Sequence, residues 1–158
     1  MKNILIPTDF NVNALTCIEN LCEQHENTRF QLIFIHLFKI SDSITDLLML
    51  SRRNRDYDYV SNHFYQACER IKAAYPQVES IKVDFFYGST LSMFRNYLEA
   101  QGIDAVLDLK HCSLKPLNKM SVNPEGLIQK CGLEVLHLQA ARKAAVRVPA
   151  QEQLQEAV

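Results

Sequence analysis

The chain has 158 residues, 47% hydrophobic and 22% charged, which is enough apolar material for one globular domain with a sizeable core and excludes a coiled coil or a disordered chain. A formal net charge of -1 creates no overall field toward DNA, RNA or an anionic membrane, so no nucleic-acid partner is expected. The apolar start Ile4-Leu5-Ile6 is cut off by Pro7 and Asp9, too early for a signal core or a membrane span, which predicts a cytoplasmic protein without membrane association.

Residues 3–6 form a continuous apolar run before a proline, the pattern of a strand covered on both faces, and residues 30–38 (FQLIFIHLF) read the same way. Between them Leu15, Ile18, Leu21 and Cys22 recur at helical spacing, with Asp9 or Asn11 able to cap the start, giving a crossover helix of about 14 residues. Residues 41–58 stand outside the pattern. Leu47-Leu48-Met49-Leu50 there reads as a short helix over the sheet end, and Arg52, Arg53 and Arg55 as a solvated face, with contact to an anion as the alternative.

Val60, Phe64, Ala67, Ile71 and Ala74 mark the stripe of a second helix ending near Pro76. Ile81, Val83 and Phe85 then alternate with Lys82 and Asp84, the signature of an edge strand. After Gly88-Ser89-Thr90, Leu91, Phe94 and Leu98 form a third helical face closed by Gly102, and residues 105–109 form a fourth strand. Asn123-Pro124-Glu125 opens a short fourth helix ending at Gly132, and residues 133–138 make a fifth strand. Strands alternating with helices predict an α/β fold: a doubly wound, open parallel sheet with helices on both faces and right-handed crossovers. Residues 1–139 form this domain; residues 140–158, basic at first, broken at Pro149 and poor in apolar surface, read as a flexible tail.

Five cysteines, Cys17, Cys22, Cys68, Cys112 and Cys131, form an odd set with no CxxC pair, so reduced and mostly buried thiols are expected rather than disulfides. No histidine stands at ligand spacing from another ligand type, and no metal site is expected.

The opening Asn3-Ile4-Leu5-Ile6-Pro7-Thr8-Asp9-Phe10 closely resembles the first strand and turn of the universal stress protein family, an apolar run followed by Pro-Thr-Asp-Phe. Residues 32–37 with His36 resemble its second strand ending in His-Val; Gly88 sits where a loop glycine precedes the third helix. Asp104-Ala105-Val106-Leu107 is similar to the fourth strand, Ser121-Val122 to part of the Gly-Ser-Val turn, and residues 131–138 to the terminal Cys-Pro-Val-Leu strand. The resemblance spans nearly all of residues 1–139. It implies a five-stranded sheet of order 3-2-1-4-5, whose third strand is an edge, in agreement with the alternation at residues 81–85. It also implies a homodimer paired through the fifth strand, Glu134-Val135-Leu136-His137-Leu138, an apolar edge that would otherwise invite association.

ATP-binding members carry Gly-x2-Gly-x9-Gly-Ser/Thr after the fourth strand, where glycines let backbone N–H groups approach phosphate oxygens beside a helix N-terminus. The present chain departs at that point. Residues 108–122 contain no glycine: Asp108-Leu109-Lys110-His111 occupies the region of the first two, Met120 stands at the third, and the spacing from His111 to Met120 is one residue short. Side chains fill the space phosphate needs, non-glycine residues resist positive φ, and Asp108 brings negative charge toward a polyanion, so ordinary ATP binding is not expected and no cofactor is assigned, ATP and AMP being disfavoured.

What the resemblance leaves is a residual nucleotide site of Pro7, Thr8, Asp9, Leu37, Ser121 and Val122, although Pro7 also ends a strand and Asp9 also caps a helix. Lys110, His111, Lys115 and Lys119 are possible anion contacts on the replacement loop, with plain solvation the simpler reading. No GxSxG, GxxxxGK[ST], HExxH or GxGxxG motif is present, and His36 reads as a packed strand-end residue, so no enzyme is expected. The expected function is a non-enzymatic stress-response or regulatory protein acting through homodimer and protein contacts. The alternative is a binding module for a nucleotide or other anion.

Overall fold

Strand β1 (Lys2–Pro7) lies at the centre of a five-stranded sheet of order β3-β2-β1-β4-β5 in a computed structural model that describes residues 1–40 and 56–138. The expected helix and arginines of residues 41–55, and the expected tail, lie outside the described residues. Every pairing between these five strands is parallel. β1 pairs with β2 (Phe30–Phe38) and β4 (Ala105–Leu107), placing Ile4 beside both Leu32 and Ala105. β3 (Val78–Tyr87) closes one edge against β2, and β5 (Glu134–Leu136) ends the order against β4.

The continuous apolar runs are explained by burial on two faces. Ile4 and Ile6 of β1 and Phe34 and Phe38 of β2 belong to one core, packed against helix α1 (Thr16–Gln24) and helix α2 (Asn62–Ala74) through Ile18, Leu21 and Phe64. Leu5 and Ile35 point to the second core, under helix α3 (Leu91–Ala100) and helix α4 (Glu125–Lys130), where Phe94, Leu98 and Ile128 are buried. Two helices on each face make the doubly wound arrangement that the alternation of elements predicts.

Local chemistry sets the element ends. A 3-10 turn (Val12–Leu15) precedes α1, with the Asn11 side chain accepting from Asn13 N. Ser61 accepts from Phe64 N to cap α2, and Thr90 accepts from Met93 N to cap α3. Gly102, at φ +65 after the last turn of α3, supplies the left-handed residue that lets the chain turn into β4. Two strands are shorter than the apolar pattern predicts: β4 stops at Leu107 because Asp108 starts a 3-10 turn (Leu109–His111), and β5 stops at Leu136. No helix among the described residues is long and apolar enough to cross a membrane.

Candidate functional site

In an open parallel sheet the chain divides its crossovers to left and right at one point, and ligands meet the carboxyl ends of the strands there. Here that point lies between β1 and β4, and the turn after β1 is built with unusual care. Thr8, fully buried, donates its N–H to Ile35 O at 2.8 Å, and its Oγ1 accepts from Phe10 N at 3.0 Å. Asp9 accepts from Asn11 N through Oδ1 at 3.0 Å and from the Ser113 hydroxyl through Oδ2 at 3.1 Å, while Asp9 N donates to Ser113 O at 2.9 Å. Phe10 takes a positive φ of 62 and buries its ring against Phe64 and Phe85.

The replacement loop lies across these strand ends and is tied to them. Ser121 forms an antiparallel bridge with Phe38, Lys39 N donates to Met120 O, and Val122 N donates to Leu37 O, the last two at 2.8 Å. Leu37 is buried and Val122 partly buried, both on the second core. The Ser121 Oγ accepts from Leu117 N at 2.9 Å and from Asn118 N at 3.3 Å, and lies 2.7 Å from His36 Nε2. The other ring nitrogen, Nδ1, lies 2.7 Å from Thr8 O.

These contacts fix the protonation of His36. A carbonyl oxygen only accepts, so Nδ1 carries the proton; the two lone pairs of Ser121 Oγ are taken by the amides, so its hydroxyl proton goes to an unprotonated Nε2. His36 is therefore a neutral ring, 2% exposed. Burial holds its pKa below the ordinary 6.5, outweighing the opposing pull of the Thr8 carbonyl, Asp9 and Asp56. The pair has the outline of a nucleophile and its base, but an oxygen with both lone pairs engaged has none left for attack on a carbon. It is a clamp between the loop and the sheet.

Asp108 also serves the fold. Its Oδ1 accepts from Lys110 N at 2.9 Å, and its Oδ2 lies 2.6 Å from His137 Nδ1. The Lys110 N–H, assisted by His137 and by the charge of Lys110, holds the carboxyl below the usual range. His111 accepts from Leu138 N through Nε2 at 2.9 Å, so the ends of β4 and β5 are joined by side chains where their ladder stops. Burial pushes the thiols up, to about 12 at Cys17 and about 11 at Cys22 and Cys68, and upward at Cys112, so all four are neutral and unreactive near neutrality. Among the described residues no cluster of three or more histidine, cysteine or carboxylate groups could hold a metal ion.

Three cavities among the described residues bear on the site. His36, Lys115, Ser121 and Asn123 line a cavity of about 230 Å³, under the 300 Å³ or so at which small-molecule pockets begin. Lys110 and His111 face a second, polar cavity of about 310 Å³ shared with Asn13, Thr16 and Asn20. A larger one, about 560 Å³, opens between α3 and α4 around Asp104, at the opposite end of the sheet from the switch point. Its polar groups serve the fold: Asp104 accepts from Asn3 N and Arg95 donates to Lys130 O, so size alone does not make it the site.

No family model matches the sequence, and no curated protein matches it. Solved structures do. A hypothetical protein, PH0823, superposes with a TM-score of 0.53 at 13% identity, over 87% of this chain and 94% of that one. The hypothetical protein MJ0577, a test case for assigning biochemical function from structure, gives 0.50 at 18% identity, over 87% and 94%. A universal stress protein family protein from Arabidopsis thaliana with AMP bound gives 0.50 at 10% identity, over 90% and 95%. The fold is that of the universal stress proteins.

Within this universal stress protein fold, Pro7, Thr8, Asp9, Leu37, Ser121 and Val122 do come together at the ends of β1 and β2, with their polar groups engaged by the chain itself. The four basic residues do not converge. Lys110 and His111 share one cavity, Lys115 lines another, and Lys119 lines neither. Sequence reasoning missed the link from Asp9 to Ser113 and the part His36 plays. The second left a trace, since His36 falls on the same strand face as Phe34 and Phe38, where an unpaired polar ring would be costly.

Proposed function

We propose that this chain is a non-enzymatic stress-response or regulatory protein of universal stress protein type, which acts in the cytoplasm as a homodimer through protein contacts and without ordinary ATP binding. The observation that carries the reading is the clamp: Ser121, the residue at the phosphate end of the glycine motif, spends its hydroxyl on Leu117, Asn118 and His36. A nucleotide would have to displace these bonds and enter a loop without glycine. For the dimer, support comes from β5 at the end of the sheet order. The Leu136 carbonyl turns inward to Asp108 N, so Val135 turns its amide outward, where a second strand can pair.

Calorimetric titration with ATP, ADP, AMP and cyclic AMP, with and without magnesium, tests the first part; no heat of binding is expected, and micromolar ATP affinity overturns it. Sedimentation across a range of concentrations tests the second. A persistent monomer, or a dimer untouched by Val135→Pro, contradicts pairing through β5.

A second reading, a binding module for a nucleotide or other small anion, draws support from the AMP held by the Arabidopsis protein and from the polar cavity beside Lys110. There His111 Nε2 accepts from Leu138 N, which leaves a donating Nδ1–H, next to the amides of Asn13 and Asn20. Separate Lys110→Ala and Lys115→Ala variants tell the two cavities apart, because each removes the cation of one of them.

A further inference from the structure

The loop over the strand ends is anchored differently at its ends and in its middle. At one end Ser113 is held by Asp9 through N–H to carbonyl and hydroxyl to carboxylate contacts. At the other, Met120 and Val122 are held by backbone bonds to Lys39 and Leu37. The middle is held by the Ser121 Oγ, which gathers the Leu117 and Asn118 amides, by Leu117 packed on the first core, and by Asn118, which donates to the Tyr59 hydroxyl at 2.8 Å and accepts from Met120 N at 2.7 Å and Ser121 N at 3.1 Å. The Oγ keeps both amides only while its own proton has an acceptor, and that acceptor is His36 Nε2.

We propose that this loop is an acid-loosened element: protonation of His36 breaks the clamp and loosens residues 114–119 while Ser113 and Met120 stay anchored. An imidazolium presents N–H at Nε2, where the neutral ring presented a lone pair. That N–H meets an oxygen already accepting two amides, and the serine proton is left without an acceptor. One amide bond at least has to open. The ring is 2% exposed, so the new N–H has no partner but this oxygen in the closed state.

The groups that face His36 set the balance. The end of β1 offers the Thr8 carbonyl and Asp9, the chain before the Tyr57–Tyr59 turn offers Asp56, and all three favour the imidazolium. The loop places Lys115 in the cavity that His36 lines, and a cation there opposes protonation. Phe10 and Phe38 cover the ring, and β3 turns Phe85 to this side but points Asp84 toward Tyr97 on the other. Burial dominates and the closed-state pKa lies below 6.5. The clamp is therefore fully present above 6.5 and is lost as pH falls through the depressed value. The loosened segment carries Lys115 and Lys119, so acid converts a closed loop into a looser cationic one.

Amide hydrogen exchange of the full chain between about pH 8 and pH 5, corrected for intrinsic exchange, reads the clamp at Leu117 and Asn118. Their protection should fall about tenfold per pH unit between 6.5 and the depressed pKa and then level off, while the amides of Lys39 and Val122 stay protected. His36→Gln, with an acceptor that does not titrate, should lose this dependence, and Ser121→Ala should exchange fast at every pH. Should either variant not fold, nitrogen NMR of the His36 ring in the natural chain still decides. Ring protonation without loss of protection at Leu117 and Asn118 overturns the proposal, as does an unchanged pH dependence in His36→Gln.

Discussion

Phe10 sits where two demands conflict. Its φ of 62 belongs to the left-handed region that a residue with a side chain reaches at a cost, yet its ring is 4% exposed and wedged among Phe64, Phe85 and His36. Magnitudes decide between them. Glycine would relieve about 1 kcal/mol of backbone strain, whereas loss of a buried aromatic ring costs about 3–5 kcal/mol. Phe10→Gly is thus expected to destabilise by about 2–4 kcal/mol in urea unfolding, and a stabilised variant would mean that the turn, not the ring, dominates. The strain is accepted because the turn delivers the Thr8 carbonyl to His36 and the Asp9 carboxylate to Ser113.

Elements show how far local signals reach. Helix α2 begins where Ser61 accepts from Phe64 N at 3.1 Å, and Ser61→Ala is expected to cost about 1 kcal/mol of global stability, measurable as a shifted denaturant midpoint at constant slope. That cap was not singled out in the sequence, whereas β1 and β2 were legible, because an apolar run bounded by Pro7 or by polar residues carries its own ends. The end of β4 was not. Asp108 bonds Lys110 N, so a side chain competes with the ladder and stops the strand two residues before the apolar pattern does. On β3 the alternation assigned Asp84 an outward face, but α3 covers that face and Tyr97 donates to the carboxylate at 2.7 Å; the residue is 5% exposed. At the site, Pro7, Thr8 and Asp9 were readable from their order alone. The clamp was not, because Ser121 and His36 stand 85 residues apart and meet only once the sheet exists.

The whole molecule hangs on β1. Its residues meet β2 at a sequence separation of 28, as between Thr8 and His36, and meet the β4 side at a separation of 101, as between Asn3 and Asp104. Closing the longer loop costs about 1 kcal/mol more in chain entropy, which favours a nucleus built from β1, β2 and β3 with β4 and β5 added later. Leu32→Ala is then expected to slow refolding, and Val106→Ala, equally buried, to speed unfolding instead. Equal effects of the two on the refolding rate would contradict that order. The loop after β4 can close only when its own strand has docked on β1, and Asp9 and His36 must wait for Ser113 and Ser121 to arrive. Completion of the clamp is the signature that the two halves of the protein have found each other.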